Sequence, residues 1–240
     1  MNLIRLETGV GIQTRENVLP IPYILGIGMN YAAHAKEQGK GVPERPMVFT
    51  KNPYSVVLSG EDIVIPRVCR DRPQVDFEAE LGVVIGRRRD GRLVRDVSKD
   101  EALTCVLGYV AANDVSARWW QKEGSGGQFC RGKSFDTFCP IGPWVVPAAE
   151  VPNPNALRIR SRVNGVTMQD ANTSDMIFDV ATLVSELSQG STLPPGTLIV
   201  TGTPSGVGMA RTPPEFLKDG DVVEVEIERV GVIRNRVREE

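Results

Sequence analysis

Polar and apolar residues alternate strictly along Val75-Asp76-Phe77-Glu78-Ala79-Glu80-Leu81, and the chain then turns almost wholly apolar through Gly82-Val83-Val84-Ile85-Gly86. A period of two predicts a strand with Asp76, Glu78 and Glu80 on one face and Val75, Phe77, Ala79 and Leu81 on the other. The apolar continuation predicts a stretch covered on both faces. Shorter β-type runs, broken by Pro and Gly, predict strands at 23–27, 46–50, Ile63–Ile65, 107–114 and 197–201. Residues 157–168 carry Asn164-Gly165, a strong hairpin turn signal, and 222–237 predict a second hairpin bent at Gly231. Helices are few. Ser98-x-x-Glu101 is a capping box that opens a short helix to about residue 105. Asp179 caps a second helix, Val180–Ser188, with Gly190 at its C-terminal end. A third short helix surrounds His34. The expected class is α+β, mainly β.

Composition narrows the function classes. The formal net charge of −2 argues against a nucleic-acid surface, which is normally basic. No apolar run reaches membrane-spanning length, and Met1-Asn-Leu-Ile-Arg-Leu6 lacks the apolar core of a signal peptide. Cys69, Cys105, Cys130 and Cys139 form no C-x-x-C pair, so they read as reduced thiols in a cytoplasmic protein.

The chain has one histidine, His34, with Glu37 three residues on. On a helical turn these positions share a face, so the carboxylate can fix the imidazole in one tautomer. Alone, the pair reads rather as a surface histidine beside a solvated glutamate, and the acids further along the chain reverse that preference. Three carboxylates on one face are either solvated or share a hard cation. The buried run that follows, and Asp114 at the end of Leu107-Gly-Tyr-Val-Ala-Ala112, favour the cation. An all-oxygen set of Glu78, Glu80 and Asp114 selects Mg²⁺ or Mn²⁺. Gln128-Phe-Cys-Arg-Gly-Lys133 adds Arg131 and Lys133, cations suited to a substrate carboxylate or a developing oxyanion, or else solvated on a loop. Thr201-Gly-Thr-Pro-Ser-Gly-Val-Gly208 offers backbone N–H groups to an anion but matches neither nucleotide-binding fingerprint. The basic run Arg87 to Arg92 reads as a solvated turn.

In order along the chain stand Gly-x-Asn-Tyr-x-x-His34-x-x-Glu37, Phe-x-Lys51, Asp76-x-Glu78-x-Glu80-Leu-x-x-Val-Ile-Gly, Asn-Asp114-x-Ser-x-Arg118, Gly-Lys133-Ser-Phe-Asp-x-Phe and Thr201-Gly-Thr-Pro-x-Gly-Val-Gly. This series resembles the fumarylacetoacetate hydrolase superfamily, in its acylpyruvase and oxaloacetate decarboxylase-like branch. The resemblance implies a mixed β-sandwich roll, a homodimer, a short lead-in over 1–22 and a catalytic domain over 23–240. It implies that Glu78, Glu80 and Asp114 bind Mg²⁺ or Mn²⁺, that His34 and Glu37 activate water or move a proton, and that Lys133 stabilises negative charge. It places Lys51, Arg118, Gln128 and Thr203 around the substrate. The activity it implies is hydrolysis of a carbon–carbon bond in a small 2-oxo acid, such as an acylpyruvate, through an enolate. The alternatives are decarboxylation of an oxo-diacid or isomerase or hydratase chemistry at the same site, or a silent 2-oxo-acid binder. Trp119, Trp120 and Phe129 line that site or pack in a core or an interface.

Overall fold

A computed structural model describes residues 1–39 and 41–240. Ten strands form one large curled sheet. Its order runs Val18–Pro20, Gly9–Gln13, Asn2–Leu6, Cys139–Pro147, Val106–Asn113, Ala79–Ile85, Leu198–Val200, Ile24–Gly28 and Met47–Lys51, with Val56–Leu58 alongside Cys139–Pro147. A second sheet of five strands contains both expected hairpins, Arg158–Val163 with Val166–Asn172 and Val222–Ile227 with Gly231–Glu239, plus Ile63–Ile65. The fold is therefore the mainly β, α+β roll that the motifs imply.

The buried strand explains why the core has two parts. Leu81, Val83 and Ile85 point into a cluster shared with Ile159, Val225, Ile227 and Ile233 of the second sheet. Val84 points the other way, into a cluster with Val110, Leu198, Ile24 and Ile12. Both faces of Ala79–Ile85 are thus covered, as its unbroken apolar run requires. The helix Val180–Ser188 lays Val180, Leu183 and Val184 onto the first cluster. Asp179 caps it, accepting a hydrogen bond from the Thr182 amide at 2.7 Å.

Two local readings change, and a third gains detail. The alternating segment is not one strand: pairing stops after Val75–Asp76 and resumes at Ala79. The interruption has side-chain causes, because the Glu78 amide donates to Asn113 Oδ1 and the Ala79 amide to Gln169 Oε1. Ser98 caps its helix without a hydrogen bond to the backbone; its hydroxyl donates instead to the Glu101 carboxylate at 3.4 Å. Residues 1–22, expected as a lead-in, carry three strands that join the large sheet through Asn2 opposite Trp144.

Candidate active site

The acids sit where the large sheet and the segment 74–78 meet. Asp76, Glu78, Glu80 and Asp114 are all buried, as are Lys51, Arg118 and Lys133. Seven charged side chains out of water are tolerable only if paired. Lys51 Nζ lies 2.6 Å from Asp114 Oδ1. Lys133 Nζ bridges Glu78 Oε2 at 2.6 Å and Asp114 Oδ2 at 2.5 Å. Arg118 Nη1 lies 2.6 Å from Glu78 Oε1, while its Nε and Nη2 hold Asp76 Oδ2 at 2.8 and 2.7 Å. Burial opposes ionisation of Glu78, but Lys133 and Arg118 outweigh it and hold that carboxyl well below its ordinary range. Burial likewise opposes the Lys133 charge, and Asp114 and Glu78 reverse it.

Glu80 is the exception. Four carboxylates face three cations, and among the described residues no salt bridge reaches Glu80. Its Oε2 accepts from the Gly202 amide, at 2.7 Å. Burial first, then Asp114 and Glu78, push its carboxyl well above the ordinary value. Glu78, Glu80 and Asp114 each offer a ligand oxygen, all within 4.8 Å of one another. A surplus of buried negative charge on an all-oxygen donor set fits a hard divalent cation. The Lys133 ammonium bridging two of these acids shows that the cluster draws positive charge into itself.

The loop after Leu198–Val200 does bind anions, and they belong to the protein. Gly202, Gly206 and Gly208 donate their amides to Glu80, Glu37 and Asp76. Gly202 has φ +99°, and a Cβ there would come within 2.6 Å of Asn30 Cβ, so the approach needs glycine. Asn30 fastens the loop to the histidine segment, donating to Thr201 O at 2.7 Å and accepting from the Phe178 amide at 2.8 Å. Six residues, Ala32–Glu37, make too short a helix to stand alone. Asn30 and buried Tyr31 and Ala35 hold it in place. His34 Nδ1 lies 3.0 Å from Glu37 Oε2, and Glu37 Oε1 accepts the Gly206 amide at 2.9 Å. Burial opposes the Glu37 charge, but those two bonds win and hold its carboxyl below the ordinary range.

Part of this set opens onto one cavity of about 730 Å³, while Asp76, Asp114 and Glu37 stand outside its lining. His34, Glu78, Glu80, Arg118, Lys133 and Thr203 line it. Thr203 is tied down, its hydroxyl donating to Ala79 O and accepting from Gln169 Nε2. Lys51 is not among the lining residues; it lies behind Asp114. Gln128 is exposed and outside the lining, whereas its neighbours Gly126, Gly127 and Phe129 are part of it. Trp119, Trp120 and Arg131 also stay outside. Arg72 stacks over Trp119, and Arg131 over Trp120, each at 4.6 Å.

Several lining residues carry no motif signal. Gln121 is buried, and its Oε1 accepts from Arg118 Nη1 at 3.0 Å. Its place three residues after Arg118 on the turn Arg118–Gln121 was the available clue. The apolar part of the wall is Ile27, Met29, Met47, Phe49, Phe129 and Met209. The Phe49 ring lies against Gly26, where a Cβ would come within 2.2 Å of it, and Lys133 Nζ sits 4.9 Å from the ring centre.

A mainly β roll in which buried carboxylates and a glutamate-bound histidine line one cavity has the make-up of an enzyme. The family model described as fumarylacetoacetate (FAA) hydrolase C-terminal matches residues 23–238, and the chain belongs to that family of enzymes. It is 45% identical over 214 residues to oxaloacetate tautomerase FAHD2A, mitochondrial, of Bos taurus, covering 89% of this chain and 66% of that protein. It thus spans just under two thirds of that relative's length. It is 46% identical over 217 residues to a 2,4-didehydro-3-deoxy-L-rhamnonate hydrolase of Sphingomonas sp. (strain SKA58), covering 90% of this chain and 73% of that one. The solved fumarylpyruvate hydrolase from Pseudomonas aeruginosa, in complex with Mn²⁺ and pyruvate, superposes with a TM-score of 0.83 at 30% identity, covering 100% of both chains. No helix among the described residues is long and apolar enough to cross a membrane.

Proposed function

We propose that this chain is an Mg²⁺- or Mn²⁺-dependent enzyme that hydrolyses a carbon–carbon bond in an acylpyruvate-like 2-oxo acid. The observation that carries the reading is the His34–Glu37 pair, whose imidazole lines the same cavity as Glu78 and Glu80. A divalent cation held by Glu78, Glu80 and Asp114 supplies Lewis-acid polarisation of the substrate carboxylate and its neighbouring carbonyl. The protein's own groups do the rest. Glu37 is ionised and accepts only, so Nδ1 of His34 keeps its proton and Nε2 carries the lone pair. Nε2 takes a proton from water, and the resulting hydroxide adds to the distal carbonyl. Glu37 stabilises the imidazolium that forms. When the carbon–carbon bond breaks, its electron pair passes to the 2-oxo end as an enolate, and His34 returns the proton to that carbon. Lys133 and Arg118 offset the negative charge as it develops. The apolar wall receives the acyl tail.

A second reading is keto–enol tautomerisation of oxaloacetate, favoured by the name of the 45% identical bovine relative. It needs the proton transfer at His34 without the attacking water. Decarboxylation of oxaloacetate is a further outcome of the same enolate. The deciding experiment is Mg²⁺-dependent turnover of an acylpyruvate and of oxaloacetate side by side, with His34→Ala as control. Cleavage of the acylpyruvate, lost in His34→Ala, supports the hydrolase. Enol–ketone exchange of oxaloacetate without cleavage of the acylpyruvate replaces it with the tautomerase. A homodimer working in the cytoplasm belongs to this proposal; the four unpaired cysteines suit a reducing compartment.

A further inference from the structure

We infer that Gln38 is a positioning residue for His34: its side-chain amide holds the basic Nε2 in the proton-accepting tautomer and turns over when that nitrogen is protonated. The inference rests on His34 acting as the base, as proposed above.

The geometry is local and two-sided. Gln38 is the C-cap of Ala32–Glu37, and its backbone N–H donates to His34 O at 3.2 Å. One turn of helix therefore stacks Gln38 over His34 while Glu37 reaches the same ring from position i+3. The two side chains grip opposite edges of the imidazole, Glu37 Oε2 at 3.0 Å from Nδ1 and Gln38 Nε2 at 2.7 Å from Nε2. Both His34 and Gln38 line the cavity.

The donors and acceptors allow one assignment. A carboxylate only accepts, so Nδ1 carries a hydrogen. A neutral ring then has its lone pair on Nε2, and the Gln38 NH₂ group donates to it. In this tautomer both nitrogens are satisfied. That bond also covers the lone pair, so the amide must yield before His34 can take a proton. After transfer Nε2 carries a hydrogen and needs an acceptor, and rotation of the same amide brings Oε1 to it. Glutamine alone among side chains of this length offers a donor in one orientation and an acceptor in the other.

The test uses the fact that the chain has one histidine, so a ¹⁵N-histidine-labelled sample gives one pair of ring signals. Spectra at one neutral pH are compared for the wild type, Gln38→Met and Gln38→Glu, with kcat and KM measured alongside. In the wild type Nε2 reads as an unprotonated nitrogen shielded by a donor. In Gln38→Met, of similar length and without a donor, the Nε2 signal moves to the unbonded position while Nδ1 stays protonated. In Gln38→Glu, which only accepts, both nitrogens read as protonated, and kcat falls about a hundredfold with KM changed far less. An unmoved Nε2 signal in Gln38→Met, or an unprotonated Nε2 in Gln38→Glu, overturns the inference. These signals come from the resting enzyme, so they stand apart from whether the acylpyruvate reaction itself is found.

Discussion

Lys51 and Asp114 stand 63 residues apart in the chain, yet Nζ lies 2.6 Å from Oδ1 and neither side chain meets solvent. Lys51 therefore works from behind, fixing the orientation of an acid whose other oxygen reaches Lys133. Removing one partner of such a pair leaves a buried charge uncompensated. Lys51→Met is expected to lower the unfolding free energy by about 3–5 kcal/mol, measured by urea denaturation. Lys51→Met combined with Asp114→Asn should recover much of that loss, because no orphan charge remains. A double variant as weak as the single one sinks this account of the pair.

Glu80 gives a metal-dependent prediction of opposite sign. Its carboxyl lies well above its ordinary value of 4.5 in the fold because burial, Asp114 and Glu78 disfavour the charge. The folded state thus binds that proton more tightly than the unfolded state. Without metal, stability falls as pH rises past about 4.5 and goes on falling until the folded value is passed. Glu80→Gln keeps an acceptor for Gly202 and removes the charge, so it flattens this limb and raises the metal-free melting temperature near neutral pH. Added Mg²⁺ reverses the ranking. At a hundred times its Kd a ligand stabilises by about 2.7 kcal/mol, and the wild type alone should show that gain. A full Mg²⁺ gain in Glu80→Gln removes Glu80 from the ligand set.

The sequence exposes local features well and cross-chain pairings poorly. The Asn164-Gly165 turn, the run covered on both faces and the helix after Asp179 each depend on residues within a few positions, and each is present. The acid cluster was legible because acids within an apolar context need a reason. The strand Cys139–Pro147 was hidden by Pro140, Pro143 and Pro147, which argue against an interior strand. It is accommodated by a register shift between Tyr109 and Ala111 on its neighbour. Lys51 was placed around the substrate by the resemblance alone, and a lysine in a strand gives no sign of which acid it meets. Gln128 lies one residue before Phe129, where the lining resumes, and its exposure follows from the left-handed turn at Gly126 and Gly127.

Asp179 offers a test independent of the chemistry. Its Oδ1 accepts from both the amide and the hydroxyl of Thr182 at 2.7 Å, and Oδ2 lies 3.0 Å from Lys99 Nζ. Burial opposes its charge, but the Thr182 bonds and Lys99 hold its carboxyl below the ordinary value. A depressed carboxyl stabilises the fold above its unfolded value, and the contribution fades as pH falls through the folded one. Asp179→Ala should cost about 1 kcal/mol at neutral pH by urea denaturation, shrinking toward zero in acid. An equal loss at both ends of the range would mean that the cap does not act through its charge.

The apolar wall makes the last prediction, and it discriminates among substrates. Met29, Met47, Phe49, Phe129 and Met209 line the cavity, and thioethers fit flexible alkyl chains. The lining cations include Lys122; of the others, Arg118 and Lys133 are already engaged by Asp76, Glu78 and Asp114. An alkyl tail therefore gains from this wall where a second carboxylate meets no such gain. Each methylene buried is worth about 0.8 kcal/mol, so kcat/KM for straight-chain acylpyruvates should climb roughly fourfold per carbon until the wall is covered. Met47→Lys should flatten that series and improve binding of a dicarboxylate. Unreactive 2-oxo acids of increasing length, used as competitive inhibitors, read the same wall without any turnover. If their inhibition constants ignore chain length, the tail leaves the cavity by another route.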